Sequence, residues 1–213
     1  MEPPPGAEPL VEFWVAQRPI PGENESGDQY LVAHYPGGVL AAAVDGLGHG
    51  EQASIAAKLA VATLAAQPDD PVQVLMQRCH DALRKTRGAV ITLASFTADS
   101  NSLTWLAVGN VEAILRRKHP PHSKPVAILP RGGIVGDRLP PLNPATLAVT
   151  CGDLLLLATD GIASVFIREV GRMEQPRQLV NHIFAQHAKS TDDALILGVQ
   201  WRNSSKAPTS GGA

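Results

Sequence analysis

Asp28, Asp45, Asp160 and the pair Asp192-Asp193 share one setting in the sequence. Asp28 follows Ser26-Gly27 and precedes a short β-like segment. Asp45 closes the apolar run Val39–Val44 and leads into Gly46-Leu47-Gly48-His49-Gly50. Asp160 follows Leu154–Ala158 and Thr159 and precedes Gly161, and Asp192-Asp193 stand directly before Ala194–Trp201. Carboxylates at strand ends beside turns suit a site built from loops on a rigid sheet. An aspartate ending a buried strand costs desolvation unless something charged meets it. Hard oxygen donors, with no cysteine or paired histidine at ligand spacing, point to Mg²⁺ or Mn²⁺ rather than zinc. Taken singly, each aspartate reads better as a turn residue, since Asp-Gly is a common turn pair. Taken together with the glycine-rich turn, they favour a cation site.

The elements that position these residues follow from periodicity and turn chemistry. Val11–Ala16 and Tyr30–Tyr35 have strand composition, and Pro36-Gly37-Gly38 turns the second of these into Val39–Val44. Strands joined so tightly are expected to pair antiparallel, which puts Asp28 and Asp45 at one end of a hairpin. Two acids brought together repel, and a cation between them relieves the repulsion. A helix is expected over Gln52–Ala66, with Ile55, Leu59, Ala62 and Ala66 as its apolar stripe. A second helix follows Pro71, on Val72, Leu75, Met76, Cys79 and Leu83. Ala89–Phe96, Ser102–Val108 and Val111–Arg117 read as a three-stranded meander turned at Asp99-Ser100-Asn101 and Gly109-Asn110. A long loop over Pro120 to Pro144, with a short strand at Val126–Leu129, comes next. Leu147–Thr150 and Asp153–Ala158 read as a strand pair around Cys151-Gly152. Helical patterns at Ile162–Val170 and Gln175–His187, where Leu179, Ile183 and Phe184 align, precede the last strand, Ala194–Trp201. Strands, two helices, strands, two helices and a strand do not make the alternation of a parallel doubly wound sheet. Mostly antiparallel sheets covered by helix pairs fit better, an α+β sandwich in a single domain over 11–202, with a loose arm expected at 1–10 and a small, polar and hence disordered tail expected at 203–213.

The 213 residues are 44% hydrophobic and 18% charged, so a sizeable core is available. A net charge of −2 and no basic run longer than Arg116-Arg117-Lys118 exclude a nucleic-acid binder dependent on a concentrated positive field. Cys79 and Cys151 are expected to be buried, unpaired thiols of a reducing compartment. With no signal peptide and no apolar run of transmembrane length, the expected location is the cytoplasm, away from the membrane.

Ser26-Gly27-Asp28, Asp45-Gly46-Leu47-Gly48-His49-Gly50, Thr159-Asp160-Gly161 and Asp192-Asp193 come in the order and approximate spacing of the metal-dependent PPM-type serine/threonine phosphatases. Together with Ala107-Val108-Gly109-Asn110-Val111-Glu112-Ala113, they resemble the SpoIIE-like bacterial branch, and within it the stressosome phosphatases. That resemblance covers roughly residues 11–201. It implies a four-layer αββα sandwich with two Mn²⁺ or Mg²⁺ ions at one end of the sheets. By motif, Asp45 would bridge the ions, the Gly46 carbonyl would complete one of them, and Asp28 would sit near the second, through water or directly. Asp160 and Asp192 would hold the first, with Asp193 the alternative to Asp192. A water shared by two such ions loses its proton readily and attacks phosphorus in line. The implied substrates are phosphoserine or phosphothreonine on STAS-domain proteins of a stressosome-like complex.

His49 has the chemistry of a general acid for the leaving oxygen, and equally that of a turn-steadying hydrogen-bond partner. His34, His80, His119, His122, His182 and His187 show no ligand spacing. Arg18 lies where animal members carry a phosphate-binding arginine, though it reads more simply as a solvated strand-end charge. Two other classes compete with the phosphatase. A glycine-rich turn opening a helix can cradle a nucleotide phosphate, but no GxxxxGK[ST] follows and Asp45 would repel the anion. A catalytically silent regulatory module is opposed by the presence of all the candidate ligands.

Overall fold

The computed structural model describes residues 9–120, 123–129 and 131–203. Most of the expected arm (residues 1–8), most of the expected tail (204–213) and His122 lie outside the described residues. Among the described residues no helix is long and apolar enough to cross a membrane.

The strands are β1 (Val11–Arg18), β2 (Asp28–Tyr35), β3 (Gly38–Gly46), β4 (Ala89–Thr97), β5 (Ser102–Val108), β6 (Glu112–Arg116), β7 (Val126–Ala127), β8 (Ala145–Ala148), β9 (Leu154–Ala158) and β10 (Ala194–Trp201). They form two five-stranded sheets, ordered β1-β10-β9-β6-β7 and β2-β3-β4-β5-β8. Every pair of named neighbours is antiparallel. Helices α1 (Glu51–Ala66) and α2 (Val72–Leu83) cover the second sheet. A 3-10 helix at Ser164–Glu169 and α3 (Pro176–His187) cover the first. The fold is therefore the expected α+β sandwich of two sheets between helical layers.

Alternation along the central strands builds three cores from one pattern, because successive side chains of a strand point to opposite faces. In β3, Val39, Ala41 and Ala43 enter the core between the sheets, while Leu40, Ala42 and Val44 meet α1 and α2. In β9, Leu155 and Leu157 face the other sheet, while Leu154, Leu156 and Ala158 meet the 3-10 helix and α3. Strands buried on both faces explain the near-continuous apolar runs. At the far end of the sandwich Trp201 stacks on Phe96 with ring centroids 5.4 Å apart and donates from Nε1 to Asn101 (3.1 Å).

Tertiary structure overturns four sequence expectations. The stripe Ile55, Leu59, Ala62 and Ala66 does not face the core; Ile55 is 44% and Leu59 38% exposed. The buried face of α1 is Ala53, Ser54, Ala56, Ala57, Ala60 and Leu64, where small side chains let the helix lie close against the sheet. The three-stranded meander is also broken. β5 pairs with β4 and β8, whereas β6 crosses to the other sheet and pairs with β7 and β9. Gly109 (φ +100°) does not make a hairpin turn, since its N–H goes to the Arg131 carbonyl (2.9 Å). Likewise the strands on either side of Cys151-Gly152 do not pair but belong to different sheets. There the Gly152 N–H reaches the Trp201 carbonyl, and buried Asp153 ties the crossing to Thr150, Arg117 and Lys118. Cys79 is buried as expected, but Cys151 is exposed.

Candidate metal centre

One end of the sandwich gathers four strand ends. Asp28 starts β2, Asp45 lies near the end of β3, Asp160 follows β9, and Asp192-Asp193 precede β10. Asp28 and Asp45 are direct register partners across the hairpin, as the short Pro36-Gly37 turn requires. The two sheets are joined here as well, because the Thr159 hydroxyl donates to Asp28 Oδ2 (2.7 Å) and accepts from the Leu195 N–H (3.0 Å).

Asp45, Asp160 and Asp192 line a cavity of about 620 Å³ together with Leu47, Gly48, His49, Asn110 and Gly132-Gly133, among others. Asp28 is buried, only 1% exposed, and Gly46 is buried as well; neither lines the cavity. Asp192 and Asp193 have different surroundings despite adjacency. Asp193 is 3% exposed and accepts from the Ile20 N–H (2.7 Å) and the Gly27 N–H (2.8 Å), so its carboxylate is taken up in holding the 19–27 loop. Asp192 faces the cavity and, among the described residues, accepts only the Asp193 N–H (2.9 Å).

The glycines after Asp45 and Asp160 serve close backbone approach. A Cβ on Gly46 would lie 2.2 Å from the Ala53 carbonyl oxygen, and one on Gly161 would lie 1.8 Å from that of Asp193. Neither glycine has a positive φ, so space and not conformation demands them. The tight seating of α1 against Gly46 brings the helix start close behind Asp45.

Charge is poorly compensated here. Among the described residues none of Asp28, Asp45, Asp160 and Asp192 forms an ion pair. Burial raises the Asp45 carboxyl from 3.8 to about 8, and the charges of Asp28, Asp160, Asp192 and Asp193 add to the rise. Burial likewise raises Asp28 to about 7, against the opposing Thr159 hydrogen bond. Asp192 is raised by burial first and then by the Asp160 charge. Asp160 receives the Asn110 side-chain N–H (2.8 Å), and the Lys189 ammonium binds its main-chain oxygen. No three acidic, imidazole or thiol side chains among the described residues converge as a ready-made ion cage. Like charges of this kind stand apart until a cation draws them in.

His49 is exposed at the cavity wall, with Nδ1 3.2 Å from Glu23 Oε1. Of the other histidines, His80 is buried and accepts the Gly136 N–H (3.0 Å), tying α2 to the 131–138 loop. Arg18 is not at the cavity: its guanidinium bonds the Ala188 and Lys189 carbonyls after α3, as arginines at helix C-termini do. Asn110 is the site residue that sequence reasoning passed over. It stood in plain view beside Gly109, but as a turn residue.

Two face-to-face antiparallel sheets, outer helical layers and carboxylates gathered at one end of the sandwich define a PP2C-type phosphatase fold. The chain belongs to the Stage II sporulation protein E (SpoIIE) family, whose model matches residues 35–202. It is 24% identical over 190 residues to phosphoserine phosphatase RsbX of Bacillus subtilis (strain 168), spanning 88% of this chain and 94% of RsbX. The crystal structure of RsbX in complex with magnesium superimposes with a TM-score of 0.81 at 20% identity, covering 90% of this chain and 95% of RsbX. A chain from the structural study "The bacterial stressosome: a modular system that has been adapted to control secondary messenger signaling" is 28% identical, with a TM-score of 0.79 over 89% of this chain and 99% of that one. The catalytic domain of serine threonine protein phosphatase PstP, in complex with two manganese ions, matches at 14% identity and a TM-score of 0.69, over 90% of this chain and 98% of that one.

Proposed function

We propose that this protein is a metal-dependent protein serine/threonine phosphatase that releases phosphate from phosphoserine or phosphothreonine on STAS-domain proteins of a stressosome-like complex. The observation that carries the reading is the uncompensated carboxylate group at one end of the sandwich: Asp45, Asp160 and Asp192 on one cavity wall, with Asp28 buried beside Asp45. Family membership and the likeness to RsbX supply the reaction class, and the likeness to a stressosome chain supports the substrate class.

The donor set fits hard divalent cations, since every candidate ligand is oxygen and, among the described residues, none of these carboxylates forms an ion pair with a lysine or arginine. In this reading Asp45, Asp160 and Asp192 would hold the Mg²⁺ or Mn²⁺ ions, with Asp28 contributing through water or directly. Asp193, occupied by two backbone N–H groups, is the weaker candidate. The Gly46 carbonyl stays in the proposed set as the ligand implied by the motif. Bound there, the ions would supply an activated water for attack on phosphorus and neutralise the phosphoryl oxygens. The chain's own groups do the rest. Thr159 keeps one oxygen of Asp28 occupied and so fixes how its carboxylate turns. Asn110 does the same for Asp160. His49, oriented by Glu23 at the cavity wall, is placed to give a proton to the departing seryl or threonyl oxygen.

The deciding assay measures Mg²⁺- or Mn²⁺-dependent phosphate release from a phosphorylated STAS-domain protein, with Asp45→Asn and Asp160→Asn alongside. Activity that survives chelation by EDTA, or survives both substitutions, would overturn the proposal.

A further inference from the structure

We propose that Arg87, on the turn between α2 and β4, binds the phosphoryl oxygens of the substrate at this cavity, an inference that rests on the phosphatase reading. The cavity wall holds carboxylates that cations can neutralise, but a phosphorylated side chain also needs a donor of its own. Arg18 is clasped to the carbonyls after α3. Lys189 is committed to the Asp160 main-chain oxygen, His49 meets Glu23, and the Arg131 guanidinium faces the Asn143 amide, whose oxygen accepts from it at 2.9 Å once the amide's O and N are exchanged. Arg87 differs from all of them: it is exposed and, among the described residues, forms no ion pair.

The position of Arg87 is built, not incidental. Thr86 closes the turn by donating N–H and hydroxyl to the Leu83 carbonyl (both 2.8 Å) and accepting the Gly88 N–H (3.0 Å). The Gly88 carbonyl then accepts the Leu47 N–H (3.0 Å), which bolts the turn to the loop that follows Asp45. Gly48, one residue further along, lines the cavity, and its backbone has φ +87°. A Cβ on Gly48 would lie 2.8 Å from Arg87 Nη1, so the missing side chain lets the guanidinium lie against the backbone of this cavity-lining residue, at the rim of the cavity. A planar guanidinium with paired donors is suited to bidentate contact with a phosphoryl group, which a lysine ammonium cannot reproduce.

The test is calorimetric titration of inorganic phosphate into the magnesium-loaded protein, comparing wild type, Arg87→Ala, Arg87→Lys and the control Arg84→Ala. Arg84 is exposed and pairs with Asp81 on α2. Phosphate affinity is expected to fall about tenfold or more in Arg87→Ala. It should recover only partly in Arg87→Lys and stay unchanged in Arg84→Ala, with equal melting temperatures throughout. KM for the phosphorylated substrate should rise in parallel. Phosphate binding by Arg87→Ala within twofold of wild type would overturn the inference, as would a wild type that binds no phosphate. Hydrolysis by a wild type whose phosphate affinity ignores Arg87 would sink this inference alone. Arg87-dependent phosphate binding without hydrolysis of any phosphoprotein would keep the anion site and sink the phosphatase reading.

Discussion

Asp28 and Asp45 stand directly opposite each other across the β2–β3 hairpin, two carboxylates in register at a buried sheet end. Burial first, and then the charges of neighbouring aspartates, hold both above the usual carboxylate range, Asp28 at about 7 and Asp45 at about 8. The unfolded chain releases these protons near 3.8, whereas the folded, metal-free chain keeps them until neutral pH or above. Stability conferred by the protonated pair is therefore present at acidic pH and lost as pH rises through 7 to 8. Melting of the EDTA-treated protein is expected to drop by about 5 °C between pH 5.5 and 8.5. Asp45→Asn should flatten that slope, raise the metal-free melting temperature at pH 8.5, and abolish stabilisation by added Mg²⁺. Differential scanning fluorimetry across pH reads all three, and a metal-free protein that grows more stable with rising pH would contradict the argument.

Adjacent Asp192 and Asp193 should behave oppositely on substitution. Asp193→Ala strands the Ile20 and Gly27 N–H groups, at a cost of about 1–3 kcal/mol for each group left unsatisfied in a buried setting. Asp192→Ala removes repulsion from the cavity wall and is expected to leave metal-free stability unchanged or higher while eliminating most metal-dependent turnover. Urea unfolding beside activity separates the two. Equal loss of activity at unchanged stability in both variants would refute the assignment.

Thr159 couples the two sheets through its hydroxyl, which donates to Asp28 Oδ2 and accepts from the Leu195 N–H. Thr159→Val keeps the shape but leaves the Leu195 N–H and Asp28 Oδ2 without their partner. A destabilisation of about 1–3 kcal/mol and a loss of roughly tenfold in Mg²⁺ affinity are expected, the latter because ligand orientation slackens. Titration of Mg²⁺ monitored by calorimetry checks the second figure.

His49 should matter in proportion to the leaving group. With a seryl phosphate, whose alkoxide leaves poorly, His49→Ala is expected to lower kcat by about 100-fold. With p-nitrophenyl phosphate, whose phenolate needs no proton, the loss should be small. Equal losses on both substrates would remove the general-acid role and leave the histidine as the partner of Glu23 in the loop.

Local chemistry was enough to place most strands and the turn between β2 and β3, because each is written in a few neighbouring residues. Pro36-Gly37-Gly38 dictates a tight hairpin, and that alone brings Asp28 opposite Asp45. Apolar runs ending in Asp-Gly mark Asp45 and Asp160 at the ends of buried strands. The family motifs could likewise be read before any coordinates. What they left open was which face and which sheet each element would choose. The apolar residues of α1 leave no clear polar side, so its sequence does not say that Ala53, Ala56, Ala57 and Ala60 would be buried in place of Ile55 and Leu59. Only contact with the sheet, where small side chains allow close approach, decided it. The crossing at Gly109-Asn110 was hidden for the same reason: a strand's alternation is the same whichever sheet it joins, and β6 joins β9 through burial between distant segments. That crossing is what swings Asn110 onto Asp160. Asp192 and Asp193 were indistinguishable by type and spacing, and the tertiary structure separated them by wrapping the 19–27 loop onto one and leaving the other facing the cavity.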